Sequence, residues 1–175
     1  MAVTQNRPEG FTLIELLWVV LILSIALSSA VPHFAGPMRR MELERKARDV
    51  YMALAYSQQQ AVYKGNTVGL FFDLTEGQQD VTCYRSIGYD AFTGSPLMNP
   101  NNILINPLSK RPYVVTINSQ GESEDIRFAD ANFGGKNWVE FNSLGEPNQM
   151  GKVVLSGNNA SHTISMNRLG RLAFD

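Results

Sequence analysis

The chain has 175 residues, 44% of them hydrophobic and 10% aromatic, a globular rather than a disordered composition. That length allows one modest domain beside any anchor, and 15 Lys and Arg against 16 Asp and Glu, net charge -1, lack the basic excess of a nucleic-acid binder. The one cysteine, Cys83, excludes an intrachain disulfide; in the alternating run Val81-Thr82-Cys83-Tyr84 it reads as a strand residue rather than a reactive thiol.

Residues 1–10 are a short polar leader whose one basic residue, Arg7, is offset by Glu9. Phe11–Val31 is a 21-residue apolar run with a single charge, Glu15. About 20 apolar residues suffice to cross a bilayer as a helix. A carboxylate inside such a run costs about 2.5–3.5 kcal/mol at its centre, which makes Glu15 a candidate functional residue. A plain signal anchor with Glu15 near the interface is one alternative. A cleavable secretory signal ending at Ser28-Ser29-Ala30 is another, although such signals have shorter apolar cores, about 7–15 residues. Arg39, Arg40, Arg45, Lys46 and Arg48 follow the run closely, and basic flanks alone would place its C-terminal side in the cytoplasm.

Pro32 and then Gly36-Pro37 should weaken or end the helix, because proline removes a backbone donor and clashes with the preceding turn. Residues 38–64 read as an amphipathic helix. Leu43, Ala47, Val50, Leu54 and Ala61 form its apolar stripe, with Tyr51, Ala55 and Val62 widening it. Arg39, Arg40, Glu42, Glu44, Arg45, Lys46, Arg48 and Asp49 suit its solvated face, and Lys64-Gly65-Asn66 its C-terminal cap.

From Thr67 the pattern changes to short strands rich in β-branched and aromatic residues. The candidates are 67–73, 81–87, 112–118, 125–129, 137–142, 151–156, 161–167 and 171–174, with residues 88–111 a long Pro- and Asn-containing loop. The fold class expected is α+β, a long N-terminal helix packed on an antiparallel sheet. The segments are a leader (1–10), a transmembrane helix (11–31), an amphipathic helix (32–65) and a β-rich globular domain (66–175).

Catalytic patterns are missing from the sequence. His33 and His162 lack metal-ligand spacing to Cys83 or to a carboxylate. Neither a nucleophile elbow, a phosphate loop nor a zinc motif occurs, and Gly134-Gly135-Lys136 reads as a turn. Asp73, Glu76 and Asp80 do not have EF-hand spacing and read as a solvated loop. Asn159-Ala160-Ser161 reads as a chance match to a glycosylation sequon. The chain is therefore expected not to be an enzyme and to need no metal or cofactor.

The junction Gly10-Phe11-Thr12-Leu13-Ile14-Glu15, followed by the apolar run, resembles the processing site of type IV prepilins and type II secretion pseudopilins. The segment ARDVYMALAYSQQQAVYKGNTVGLFFD, the stretch Val139–Gly145 and the ending Thr163–Leu172 are similar to the GspH/FimT family of minor pseudopilins and minor pilins. The resemblance implies a pilin-like fold. It implies cleavage after Gly10 by a prepilin peptidase, N-methylation of the new terminus Phe11, and an assembly role for Glu15 opposite the Phe11 amine of a neighbouring subunit. It also implies a helix kink at Pro32. The leader must then face the cytoplasm, opposite to the orientation given by the basic flanks.

On this reading the protein is a single-pass inner-membrane precursor with a periplasmic domain, which joins a filament with other pilins or pseudopilins through an inner-membrane assembly platform. The first role implied is a minor pseudopilin of a type II secretion system, serving protein export across the outer membrane. The alternative is a minor type IV pilin in pilus biogenesis or DNA uptake, with Arg168 and Arg171 as candidate DNA contacts. Asp175 and the near-neutral domain argue against nucleic acid. A membrane-anchored periplasmic sensor or binding domain that never polymerises is a third reading.

Overall fold

The computed structural model describes residues 12–75, 77–118, 126–157 and 160–175, with the backbone alone for 29–36. It divides into two compact units, one ending at Met38 and the other spanning Arg39–Asp175. One helix, α1 (Leu13–Lys64, 52 residues), contributes to both, and its helical backbone runs through Pro32 and Gly36-Pro37. Gly65 follows at φ 63°, the left-handed conformation that ends a helix most easily when no Cβ is present.

Among the described residues of the second unit, eight strands follow the helix: β1 (Val68–Asp73), β2 (Gln79–Arg85), β3 (Val114–Asn118), β4 (Arg127–Phe133), β5 (Trp138–Phe141), β6 (Gly151–Gly157), β7 (Ala160–Met166) and β8 (Leu172–Phe174). They form two four-stranded antiparallel sheets, ordered β3-β2-β1-β5 and β4-β6-β7-β8. The fold is α+β as expected, with the strands divided between two sheets.

Register shifts interrupt β2 between Gln79 and Asp80, and β4 between Phe128 and Asp130. An extra residue bends a strand and leaves backbone groups unpaired. Here the buried Gln79 Oε1 accepts the Phe128 N–H at 2.6 Å and joins the two sheets. Phe72 fills the space beside this junction, edge-on to Phe128 (5.8 Å) and stacked on Phe133 (5.4 Å).

The stripe Leu43, Ala47, Val50, Leu54 and Ala61 is buried in one core with Leu70, Phe72, Val81, Val139, Phe141, Leu155 and Ile164. Truncating a buried Leu in such a core to Ala costs about 2–5 kcal/mol. Two positions of the expected helix surface differ. Lys46, expected on the solvated face, is buried, because its aliphatic stem lies along the core while Nζ donates to Thr116 O at 2.8 Å. Val62, expected to widen the stripe, is 53% exposed.

A second polar contact lies inside the domain. Glu140 is buried and accepts hydrogen bonds from Tyr84 Oη (2.9 Å) and from Tyr89 Oη. Tyr89 also packs against Trp138, so Tyr84 in β2 and Tyr89 in the chain after it are both tied to β5. Gly69 opposite Tyr84 makes room: a Cβ there would meet Glu140 Cγ and the Tyr84 ring end at 2.7 Å.

Candidate assembly surfaces

The N-terminal end of α1 is built as a capped apolar rod. Thr12 precedes the first turn and accepts the Glu15 N–H on its carbonyl (3.1 Å) and on Oγ1 (3.3 Å). The Thr12-Leu13-Ile14-Glu15 spacing is that of a capping box, and it places Glu15 where the helix partial charge favours a carboxylate. From Leu13 to Leu27 the apolar side chains point outward all round the helix. Ser24 and Ser28 return their hydroxyls to the carbonyls of Val20 and Ser24, both at 2.8 Å, so these polar groups need no water. A helix apolar on every side is suited to lipid or to a packing of other apolar helices. Among the described residues no helix is long and apolar enough to cross a membrane, and the described side chains of this run end at Ser28.

The processing pair, Gly10 and Phe11, lies outside the described residues. Pro32 lies in helical backbone, with its side chain outside them. The structure therefore shows Glu15 capped and exposed at the start of α1 without showing the group that the resemblance pairs with it.

At the other end of α1 two loops converge. Asn142-Ser143-Leu144-Gly145 and Asn167-Arg168-Leu169-Gly170 share one hydrogen-bond pattern. Asn142 Oδ1 accepts the N–H groups of Leu144 and Glu146, both at 2.9 Å; Asn167 Oδ1 accepts those of Leu169 (2.9 Å) and Arg171 (3.0 Å). In each, the glycine N–H returns to the Asn carbonyl. Asn favours such turns because its short amide replaces a backbone acceptor. Gly145 (φ 79°) and Gly170 (φ 74°) supply the left-handed residue. Gln58 Nε2 donates to both glycine carbonyls, Gly145 O at 2.8 Å and Gly170 O at 3.2 Å. Each turn holds up an exposed leucine, Leu144 (75%) and Leu169 (68%). Arg168 and Arg171 flank Leu169, both exposed.

Sequence reasoning missed Thr12 and Gln58. The capping-box spacing could have revealed the first. The repeated Asn-x-Leu-Gly could have revealed the twin turns, but not the glutamine that joins them.

The remaining reactive groups are placed structurally. Cys83 is buried, and burial pushes its thiol up to about 12. The Ser57 hydroxyl opposes that shift, although the two are not aligned as a hydrogen bond. Asp73 and Asp80 pair across β1 and β2, and burial, then Asp73, raises the Asp80 carboxyl. Glu76 and Asn159 lie outside the described residues, as does the His33 side chain. His162 stacks on Phe174 at 5.3 Å. Among the described residues no group of three or more His, Cys, Asp or Glu is gathered as metal ligands would be.

Comparison with known proteins places these features. Residues 5–31 match the prokaryotic N-terminal methylation motif, and residues 46–170 match type II transport protein GspH. No curated protein sequence matches. Among solved structures, the minor pseudopilin EpsH from the type 2 secretion system of Vibrio cholerae is similar at TM-score 0.51 and 14% identity, over 77% of this chain and 96% of that one. The type IV minor pilin FimU of Pseudomonas aeruginosa is similar at TM-score 0.51 and 14% identity, over 78% and 90%. These likenesses establish a shared pilin-like fold.

Proposed function

Because this chain belongs to the family of type II transport protein GspH, we propose that it is a minor pseudopilin, a structural subunit of the filament that drives protein export across the outer membrane. The observation that carries the reading is the methylation motif over residues 5–31 standing directly before the GspH-type domain over 46–170. On this account the prepilin peptidase cuts after Gly10 and methylates Phe11. The apolar rod holds the precursor in the inner membrane, with the β-rich domain in the periplasm. An assembly platform then draws the rod out of lipid into a bundle of rods from other pseudopilins, with Pro32 as the site of a bend.

Glu15 supplies the register. Burying a carboxylate among apolar helices is costly, and a neighbouring Phe11 amine offsets the cost. Removing one partner of such a buried pair costs about 3–5 kcal/mol. Glu15→Val should therefore leave membrane insertion intact and impair incorporation into the filament. Wild-type incorporation of that variant, measured by co-isolation with sheared filaments, would remove the pairing.

A place in a type IV pilus is the second reading, supported by the equal likeness to FimU. Neighbouring genes discriminate: a secretin with several pseudopilins for secretion, retraction and alignment components for a pilus.

A further inference from the structure

The last residue of α1, the end of β2 and the chain at 101–105 enclose a cleft of about 200 Å³. Val68 and Leu104, both buried, line it from the core side. Lys64, Asn66, Arg85 and Asn101, all exposed, supply the polar side chains along its mouth.

Hydrogen bonds fix these walls before any ligand arrives. Asn102, 3% exposed, donates from Nδ2 to Arg85 O (3.1 Å) and to Leu97 O (2.7 Å), and the Arg85 N–H donates to Asn102 O at 2.7 Å. Asn99 Oδ1 accepts the Asn101 N–H at 2.9 Å. Ser86 N–H donates to Thr67 O at 3.0 Å, which ties the end of β2 to the chain just after Lys64. Tyr56 Oη donates to Ile105 O at 3.3 Å and holds the far wall against α1. Walls ordered in advance lower the cost of binding.

The charge in the cleft is one-sided. No acidic side chain lines it, and among the described residues neither Lys64 nor Arg85 has an ion pair. Lys64 complements the partial negative charge at the end of α1. Arg85, at the end of a strand, has no such counter-charge. Two cations sharing a cleft repel each other, and an anion between them reverses the sign of that interaction. Arginine offers a rigid fork of donors that matches an oxyanion, and lysine a compact point charge. The side-chain amides of Asn66 and Asn101 have no partner among the described residues and add neutral donors. A phosphate monoester carries about -1.5 to -2 at pH 7, which balances both cations. A carboxylate or a phosphodiester, singly charged, leaves one unbalanced. With about 30 Å³ for each water, the space takes a phosphoryl group and its first waters.

We propose that this cleft binds a monoester phosphoryl group, carried either by a small soluble phosphate or by a lipid headgroup. The site lies within the Arg39–Asp175 unit and stands independently of the filament reading.

The test is calorimetric titration of the full chain in detergent with inorganic phosphate, at an ionic strength held constant with chloride. Binding should saturate at one site. Arg85→Gln and Lys64→Gln should each weaken it at least tenfold, and Arg85→Lys, which keeps the charge and loses the fork, should weaken it less than Arg85→Gln. Arg127→Gln, exposed on β4 and outside the cleft, should leave it unchanged. Near-ultraviolet circular dichroism checks that each variant keeps its fold. A parallel titration uses dihexanoyl phosphatidic acid, a lipid with a monoester headgroup. Binding at least tenfold tighter than phosphate assigns the cleft to lipid; binding no tighter assigns it to a soluble phosphate, and either supports the site. No saturation by about 10 mM of either compound overturns the proposal. So does binding that survives Lys64→Gln with Arg85→Gln unchanged. Tighter binding of a single-stranded oligonucleotide than of phosphate, lost on Arg85→Gln and falling steeply with salt, assigns the cleft to nucleic acid and overturns it as well.

Discussion

Gln58→Ala is the sharpest probe of how the C-terminal turns are held. The substitution removes the donor to Gly145 O (2.8 Å) and to Gly170 O (3.2 Å) and adds nothing in exchange. Both glycines are buried, so solvent only partly replaces the lost donor. A net hydrogen bond contributes about 0.5–1.5 kcal/mol, so the pair contributes about 1–3 kcal/mol. For a domain of this size that lowers the melting temperature by about 3–10 °C. The assay is thermal unfolding of the full chain in detergent, followed by near-ultraviolet circular dichroism, which reports the packed aromatic residues of the β domain. The neighbouring Gln59 is exposed, and Gln59→Ala should stay within about 0.5 kcal/mol of wild type. Gln58→Glu should cost more than the alanine, because it sets an acceptor against two acceptors. Hydrogen exchange should quicken at the Gly145 and Gly170 amides in both variants. Wild-type melting of Gln58→Ala, or stabilisation by Gln58→Glu, would refute the two-turn clamp.

Alkaline pH should destabilise the domain. Burial first, then Glu140, raises Tyr84 far above an ordinary phenol; burial, then its hydrogen bond to Glu140, pushes Tyr89 up to about 12. Both folded values lie above the unfolded value of about 10, so their contribution is whole below pH ~10 and is lost as pH rises towards 12. Urea unfolding should show a plateau and then this fall, and absorbance at 295 nm should show Tyr84 titrating only as the fold opens; six tyrosines ionising together near pH 10 would contradict it. Gly69→Ala should destabilise by about 1–3 kcal/mol, because its Cβ overlaps Tyr84 and Glu140 at 2.7 Å, and an unchanged urea midpoint would show that this contact relaxes freely.

The helix and the strands were legible because their apolar periods are regular. Leu43, Ala47, Val50, Leu54 and Ala61 keep helical spacing, and all five are buried. Strand positions came close for the same reason: 151–156 was expected where β6 is Gly151–Gly157, and 161–167 where β7 is Ala160–Met166. The misses fall where a side chain overrides the period. Strand β4 was expected to stop at 129 and reaches Phe133, because the shift between Phe128 and Asp130 breaks the alternation that would have revealed it. The link between the two sheets, Gln79 reaching Phe128 across 49 residues, is encoded by no local pattern. Lys46 looked solvated because charge was visible and its long stem was not. For the site, Glu15 stood out as a lone charge in an apolar run. Gln58 did not, because its importance arises only when two distant Asn-x-Leu-Gly turns meet on one amide.

The central claim is that Phe11–Val31 is a processed filament rod. Intact mass and N-terminal peptide analysis of the protein purified from its own membranes tests it most directly. The account predicts a mature chain beginning at N-methylated Phe11. A mature chain that still carries Met1 and the residues to Gly10 would contradict it.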